Sequence, residues 1–312
     1  MYKQPLYKKL SLGIAFIDIN ANQIIEVLHK YKDYMHDIYF SPVEDIAFQS
    51  GRAIYDFTNT NLTERQRELS KILYFAKQNN IALTLTLNSL KATEKDMLYM
   101  FDYYNKLYNI DYVTTFLPTA KLIKQQYPDK KIICSFNEGV NNMKKLMEII
   151  DSNVFSCIVL GMSFIRNFEA FKLIKDNNIK IKLLVNNACH LNCEVFCRDR
   201  ELCKKAFEKS ELEIGATQLY AETSLFPEEL FKYYIPNDII DIYKLSSRPL
   251  GYYGLNDLLE SYINNDSKKY IKASFRNYHL YGRLAHFGEY SQQFDYDEIM
   301  SIKQKIWDRI LM

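Results

Sequence analysis

The run Ala82-Leu-Thr-Leu-Thr-Leu-Asn88, the helix-period segment Glu94–Tyr108 and the run Tyr112-Val-Thr-Thr-Phe116 follow one another along the chain. A short β-branched or aromatic run, an amphipathic stretch and a second short run spell strand, helix, strand. The same alternation extends in both directions. It gives strands at 12–18, 37–40, 131–136, 155–160, 179–185 and 240–245, and helices at 22–34, 63–79, 119–127, 140–151 and 163–177. Thr63 reads as the cap of its helix, which carries Leu69, Ile72, Leu73 and Phe75 on an apolar face. A closing helix follows at 255–263. Eight strands alternating with helices predict a (β/α)8 TIM-type barrel, with a doubly wound sheet as the alternative. The barrel is expected over 1–266, with a cysteine-rich segment at 188–212, and 267–312 as a C-terminal extension packed on it.

Composition sets the bounds. A chain of 312 residues, 48% apolar and 25% charged, is long enough to bury a full core and is neither disordered nor fibrous. The net charge of +2 gives no whole-molecule case for nucleic acid or membrane affinity. The first ten residues lack a signal-peptide pattern and no apolar run approaches a membrane span, so a cytoplasmic protein is expected. Walker, G-x-S-x-G, H-E-x-x-H and dinucleotide glycine motifs are missing from the sequence, which leaves the corresponding hydrolase, nucleotide and zincin readings unsupported.

Chemistry is concentrated after the seventh run. Cys189, Cys193, Cys197 and Cys203 fall within fifteen residues, on a connection much longer than the others. In a reducing compartment such spacing favours metal binding over disulfides. Three-residue gaps are untypical of zinc knuckles, so a four-thiolate 4Fe-4S site is preferred, with zinc the alternative. His190, beside Cys189, is a secondary candidate as ligand or acid–base group. Cys134 and Cys157 lie inside strand runs and read as small buried hydrophobes.

In a barrel, active-site residues gather where strands end. Those ends supply Ser41, Asn88, Thr114, Thr115, Asn137, Glu138, Asn186, Asn187 and Arg248, a rim suited to a small polar or anionic molecule. Asn88 and Asn186 are candidates for orienting substrate. Arg248, after Ser246 and Ser247, suits a bidentate carboxylate or phosphate contact, and reads equally as a rim salt bridge. Arg52, in Ser50-Gly-Arg52, adds a cation for an anion. Tyr270, Lys272, Arg276, Tyr278, Tyr281 and Arg283 read first as packing and only second as an RNA-binding surface.

The succession Tyr39-Phe-Ser…Ser50-Gly-Arg52, Leu85-Thr-Leu-Asn88, Lys182-Leu-Leu-Val-Asn-Asn-Ala-Cys189-His-Leu-Asn-Cys193 and Tyr243-Lys-Leu-Ser-Ser-Arg248 resembles the collagenase-like peptidase family U-thirty-two over residues 10–264. The resemblance implies a barrel, a four-iron cluster and oxygen-independent hydroxylation, as in the members acting on ubiquinone precursors and on RNA pyrimidines, with prephenate as the oxygen source. Cys193-x3-Cys197 resembles a closely spaced pair in one ubiquinone-pathway member, and Arg248 matches the family's strand-end arginine. Ser247 stands where that motif carries glycine, and the four cysteines are closer together than in the better-known members. The expectation is therefore an anaerobic iron–sulfur enzyme taking a small-molecule or modified-base substrate. A cluster- or zinc-stabilised subunit serving a protein partner is the alternative, and a peptidase the third reading.

Overall fold

The computed structural model describes residues 5–16, 19–48, 60–186, 205, 209, 213, 215–247, 250–278 and 295–311. Eight strands form one closed ring: β1 (Leu10–Gly13), β2 (Met35–Phe40), β3 (Ala82–Leu87), β4 (Tyr112–Thr115), β5 (Lys131–Cys134), β6 (Cys157–Leu160), β7 (Lys180–Leu184) and β8 (Ile242–Leu245). Every neighbouring pair is parallel, and β8 pairs with β1 through Leu10↔Tyr243, Ser11↔Lys244 and Leu12↔Leu245. That last pairing closes the sheet and rules out the doubly wound alternative. The fold is a (β/α)8 barrel.

Helices α1 (Ala21–Tyr31), α2 (Leu62–Gln78), α3 (Glu94–Tyr108), α4 (Leu117–Gln126), α5 (Met143–Asp151) and α6 (Phe168–Asp176) follow strands one to six. Helix α7 (Ala216–Thr223) precedes β8, and α8 (Tyr252–Ile263) follows it. Asparagines cap several starts: the side chains of Asn20, Asn61, Asn142 and Asn167 each accept a first-turn backbone N–H. Asn61 therefore replaces the expected Thr63, two residues further on, as the cap of α2.

The first strand also lies earlier than its apolar run suggests, at Leu10–Gly13 rather than 12–18. Its limits come from partners on both sides, β2 and β8, and not from its own composition. At its end Gly13 is required by packing, because a Cβ there would lie 2.6 Å from the Tyr39 ring.

The main core fills the layer between ring and helices, with Leu83, Leu85, Phe101, Ile132, Ile158, Leu183 and Leu245 among its members. A smaller apolar cluster, Ile133, Cys157, Val159 and Ile242, packs with Tyr112 and Phe136. Cys134 and Cys157 are buried strand residues, and burial pushes the Cys157 thiol up to about 12.

Two helices follow the barrel: α9 (Ser267–Tyr278), packed on α8, and α10 (Tyr296–Leu311), packed on α7. The single tryptophan, Trp307, stacks on Tyr233 at 3.8 Å between ring centroids and meets Tyr234 and Phe168 edge-on. Tyr270 is buried against Phe226 and Tyr262, so it serves packing.

Candidate functional site

Strand alternation decides which side chains face the barrel axis. Lys182 of β7 reaches Asp37 of β2 with Nζ–Oδ2 at 2.7 Å, and Thr84 of β3 donates to the same oxygen at 2.6 Å. These three therefore point inward. Two residues further on, alternation carries Tyr39, Ser41, Thr86 and Asn88 inward as well. Ser11, in register with Asp37, joins them.

The floor of this interior is an ion pair. Burial alone would push the Asp37 carboxyl up, but Lys182 and His36 outweigh it and hold it well below the usual carboxylate range. His36 meets the other carboxylate oxygen at 3.0 Å. Above the pair lies the Tyr39 ring, whose hydroxyl donates to the Leu245 carbonyl at 2.7 Å. The Lys244 ammonium sits 4.2 Å from that ring's centroid and the Lys182 ammonium 5.8 Å from it, both within cation–π range.

At the mouth, Asn88 donates through Nδ2 to Ser135 Oγ at 2.7 Å, while its Oδ1 is buried without a partner. Ser135 Oγ also accepts the Asn137 N–H at 3.1 Å. Asn186 has a different use. Its Nδ2 donates to the Ser246 carbonyl and its Oδ1 accepts the Ser246 N–H at 2.6 Å, so the carboxamide extends the β7–β8 seam past the last strand pairs. Ser247 does the same on the other side of β8: its hydroxyl accepts the Gly13 N–H at 2.8 Å and donates to the Gly13 carbonyl at 3.0 Å. Ser247 thus closes the β8–β1 seam with its side chain.

Arg52, Arg248, Cys189, Cys193, Cys197, Cys203 and His190 lie outside the described residues. The connection that carries the four cysteines and His190 begins after Asn186, at the mouth. Its return limb, beginning at Gly215 and α7, comes back to the barrel where the Leu225 N–H bonds the Val185 carbonyl at 2.8 Å. Among the described residues no three His, Cys, Asp or Glu side chains gather as metal ligands. Among the same residues no helix is long and apolar enough to cross a membrane.

Sequence reasoning missed the inward charges. Their signal was present, since Lys182 interrupts the apolar run 181–185 and threonines alternate with leucines over 84–87. It also missed a second buried network, which clamps the return limb. Glu229 binds Arg166 at 2.7 Å and Lys303 at 2.6 Å, and accepts the Trp307 indole N–H at 2.8 Å and the Phe226 N–H at 2.8 Å. Arg166 and Lys303 also donate to carbonyls at the end of α7, both of them to Ala221 and Ser224, and Arg166 to Glu222 as well.

No protein-family model matches the chain, and no curated protein matches it in sequence. Among solved structures it is similar to a U32 peptidase, with a TM-score of 0.50 and 13% identity over 77% of this chain and 92% of that one. It is also similar to an N-acetylneuraminate lyase from Fusobacterium nucleatum complexed with pyruvate, with a TM-score of 0.44 and 11% identity over 100% of both chains. At such identities the likeness to the U32 peptidase establishes a shared barrel fold.

Proposed function

We propose that the chain is a barrel enzyme that holds an iron–sulfur cluster on Cys189, Cys193, Cys197 and Cys203 and hydroxylates a small anionic or aromatic substrate at the C-terminal mouth without dioxygen. The observation that carries this reading is the attachment of the cysteine-bearing connection. It departs at Asn186 and bonds back at Val185, beside a mouth lined by Asn88, Ser135 and Ser246. In a barrel this is the catalytic end.

The donor set suits the group. Four cysteines fall within fifteen residues of sequence on one connection. The other two cysteines are buried in strands, where burial holds their thiols protonated. When bound, such a cluster supplies one-electron chemistry at thiolate-ligated iron. The overall exchange balances with a hydroxylated organic donor of the prephenate type. The substrate C–H becomes C–OH and loses two electrons, while the donor gives up its hydroxyl oxygen and accepts them.

The chain's own residues bind and orient. The Lys244 ammonium over Tyr39 favours a carboxylate in the upper barrel. Asn88 directs a polar end at the rim. Beneath them the Asp37–Lys182 pair keeps the floor ionised and dry. Arg248 and Arg52 are the proposed further cations for the anion.

Anaerobic purification followed by iron, sulfide and zinc analysis tests the reading. Roughly four irons and four sulfides per chain are expected, with each Cys→Ser variant losing the visible absorption. Stoichiometric zinc without iron, or full absorption in all four variants, rejects it.

A further inference from the structure

Six side-chain polar atoms that are buried without a partner stand out among the described residues: Ser11 Oγ, Ser41 Oγ, Thr86 Oγ1, Asn88 Oδ1, Ser224 Oγ and Tyr243 OH. Four of the six belong to β1, β2, β3 and their ends, and face the barrel axis. Ser41, Thr86 and Asn88 are 0%, 2% and 8% exposed, so bulk solvent does not reach them. Register brings them together. Tyr39 pairs with Thr84 across β2 and β3, so Ser41 and Thr86 lie side by side at a strand spacing of about 5 Å. Asn88 stands two residues up the same strand, about 7 Å further along.

We infer that Ser41, Thr86 and Asn88 form a subsite for an uncharged hydroxyl group of the substrate. The inference rests on the reading of the mouth as a substrate site, and not on the cluster. Buried polar groups without partners destabilise a fold, and three on one wall are retained where a ligand completes them. Their chemistry selects the ligand group. Asn88 Oδ1 can only accept, and one of its two amide N–H donors is engaged by Ser135, so a carboxylate or phosphate oxygen placed against Oδ1 would meet an acceptor. An ammonium group would meet the field of Lys182 and Lys244, of which Asp37 directly pairs Lys182. A hydroxyl fits both ends. It donates to Asn88 Oδ1 and accepts from the Thr86 or Ser41 hydroxyl.

Crystals of the full chain soaked in turn with ethylene glycol, ethylammonium and acetate test this, with ethylene glycol affinity titrated by saturation-transfer NMR. Ethylene glycol is expected to place an oxygen within hydrogen-bond distance of Asn88 Oδ1 and Thr86 Oγ1, with the other two probes excluded there. Thr86→Val and Asn88→Leu should each weaken it by about tenfold, while the Tm of the ligand-free Thr86→Val protein rises by roughly 1–2 °C. Acetate or ethylammonium on those atoms overturns the hydroxyl assignment. Undisplaced water in all three soaks, unchanged affinity in both variants, or a lower Tm for Thr86→Val overturns the subsite. None of these readings depends on iron, so a failed cluster analysis and a failed subsite are told apart.

Discussion

Two buried charge networks sit on either side of the barrel wall, and they are built differently. Inside, Asp37 faces one lysine, one threonine hydroxyl and one imidazole, all on strands or a strand start whose register brings them together. Outside, Glu229 lies between two cations that come from the β6–α6 connection and from α10. The inner network balances one carboxylate with one ammonium. The outer one carries two cations on a single carboxylate and disperses the excess over carbonyls at the end of α7. The first belongs to the barrel itself. The second is a clasp that joins the C-terminal helix to the return limb of the cysteine-bearing connection.

The largest expected effect breaks the clasp. Glu229→Gln leaves Arg166 and Lys303 buried without their counter-charge and turns an amide N–H₂ toward the donors of Trp307 or Phe226. Loss of one partner from a buried network costs about 5 kcal/mol, which urea unfolding should register as a lower midpoint. The barrel pair should cost less, because Thr84 and His36 remain on Asp37. Lys182→Met is expected to destabilise by about 3 kcal/mol. Adding Asp37→Leu to it should recover at least half of the loss, since two well-packed apolar residues can replace an ion pair at little cost. A double variant no more stable than Lys182→Met would mean that the pair's worth lies in the chemistry of its charges for packing this particular floor.

The contrast also explains what the residues disclosed before folding. Alternating runs and amphipathic stretches gave eight strands in order, because a parallel barrel buries every strand on both faces and leaves a clear local signal. Boundaries were weaker where partners set them, as at β1, or where an early asparagine cap outruns the apolar stripe, as at Asn61. Asn88 was legible as a strand-end polar group, and the structure buries its side-chain carbonyl without a partner. Asn186 was legible as the same kind of group, but its partner Ser246 is 60 residues away, so its use as a seam brace was not. The inward set Asp37, Thr84 and Lys182 was hidden for the same reason: facing pairs depend on register around the whole ring. Lys303 and Glu229 are 74 residues apart in sequence, so their burial against each other depends on packing alone.

The two networks differ in protons as well. Burial pulls the Lys303 ammonium down to about 7 from 10.5, with Arg166 repelling it and Glu229 resisting. The unfolded chain therefore binds more protons than the folded one between those two values, and stability from this group rises with pH across that window. Wild type compared with Lys303→Met should gain roughly 1 kcal/mol per pH unit above pH 7, measured by urea unfolding at several pH values. Asp37 runs the other way in position, though not in sign. Its lowered carboxyl pKa contributes stability that is complete above its unfolded value of 3.8 and disappears only as the solution becomes strongly acidic. A flat difference between wild type and Lys303→Met from pH 7 to 9 would show that Lys303 stays charged in the clasp, and would make the two networks alike.

The smallest effect asks how much the inner network owes to a neutral hydroxyl. Thr84 donates to Asp37 Oδ2 at 2.6 Å, and valine has the same shape without the donor. A hydrogen bond to a charged acceptor contributes about 1.5–3 kcal/mol, and Lys182 remains to hold the same oxygen, so Thr84→Val should cost about 1.5 kcal/mol. The variant should also raise the acid midpoint of unfolding, because a carboxylate with one donor fewer is protonated more easily. Combined with Lys182→Met, the loss should exceed the sum of the single losses, since Asp37 is then left with His36 alone. Additive losses would mean that the hydroxyl and the ammonium act on Asp37 independently, and the inner network would then be two separate contacts on one carboxylate rather than a cooperative set.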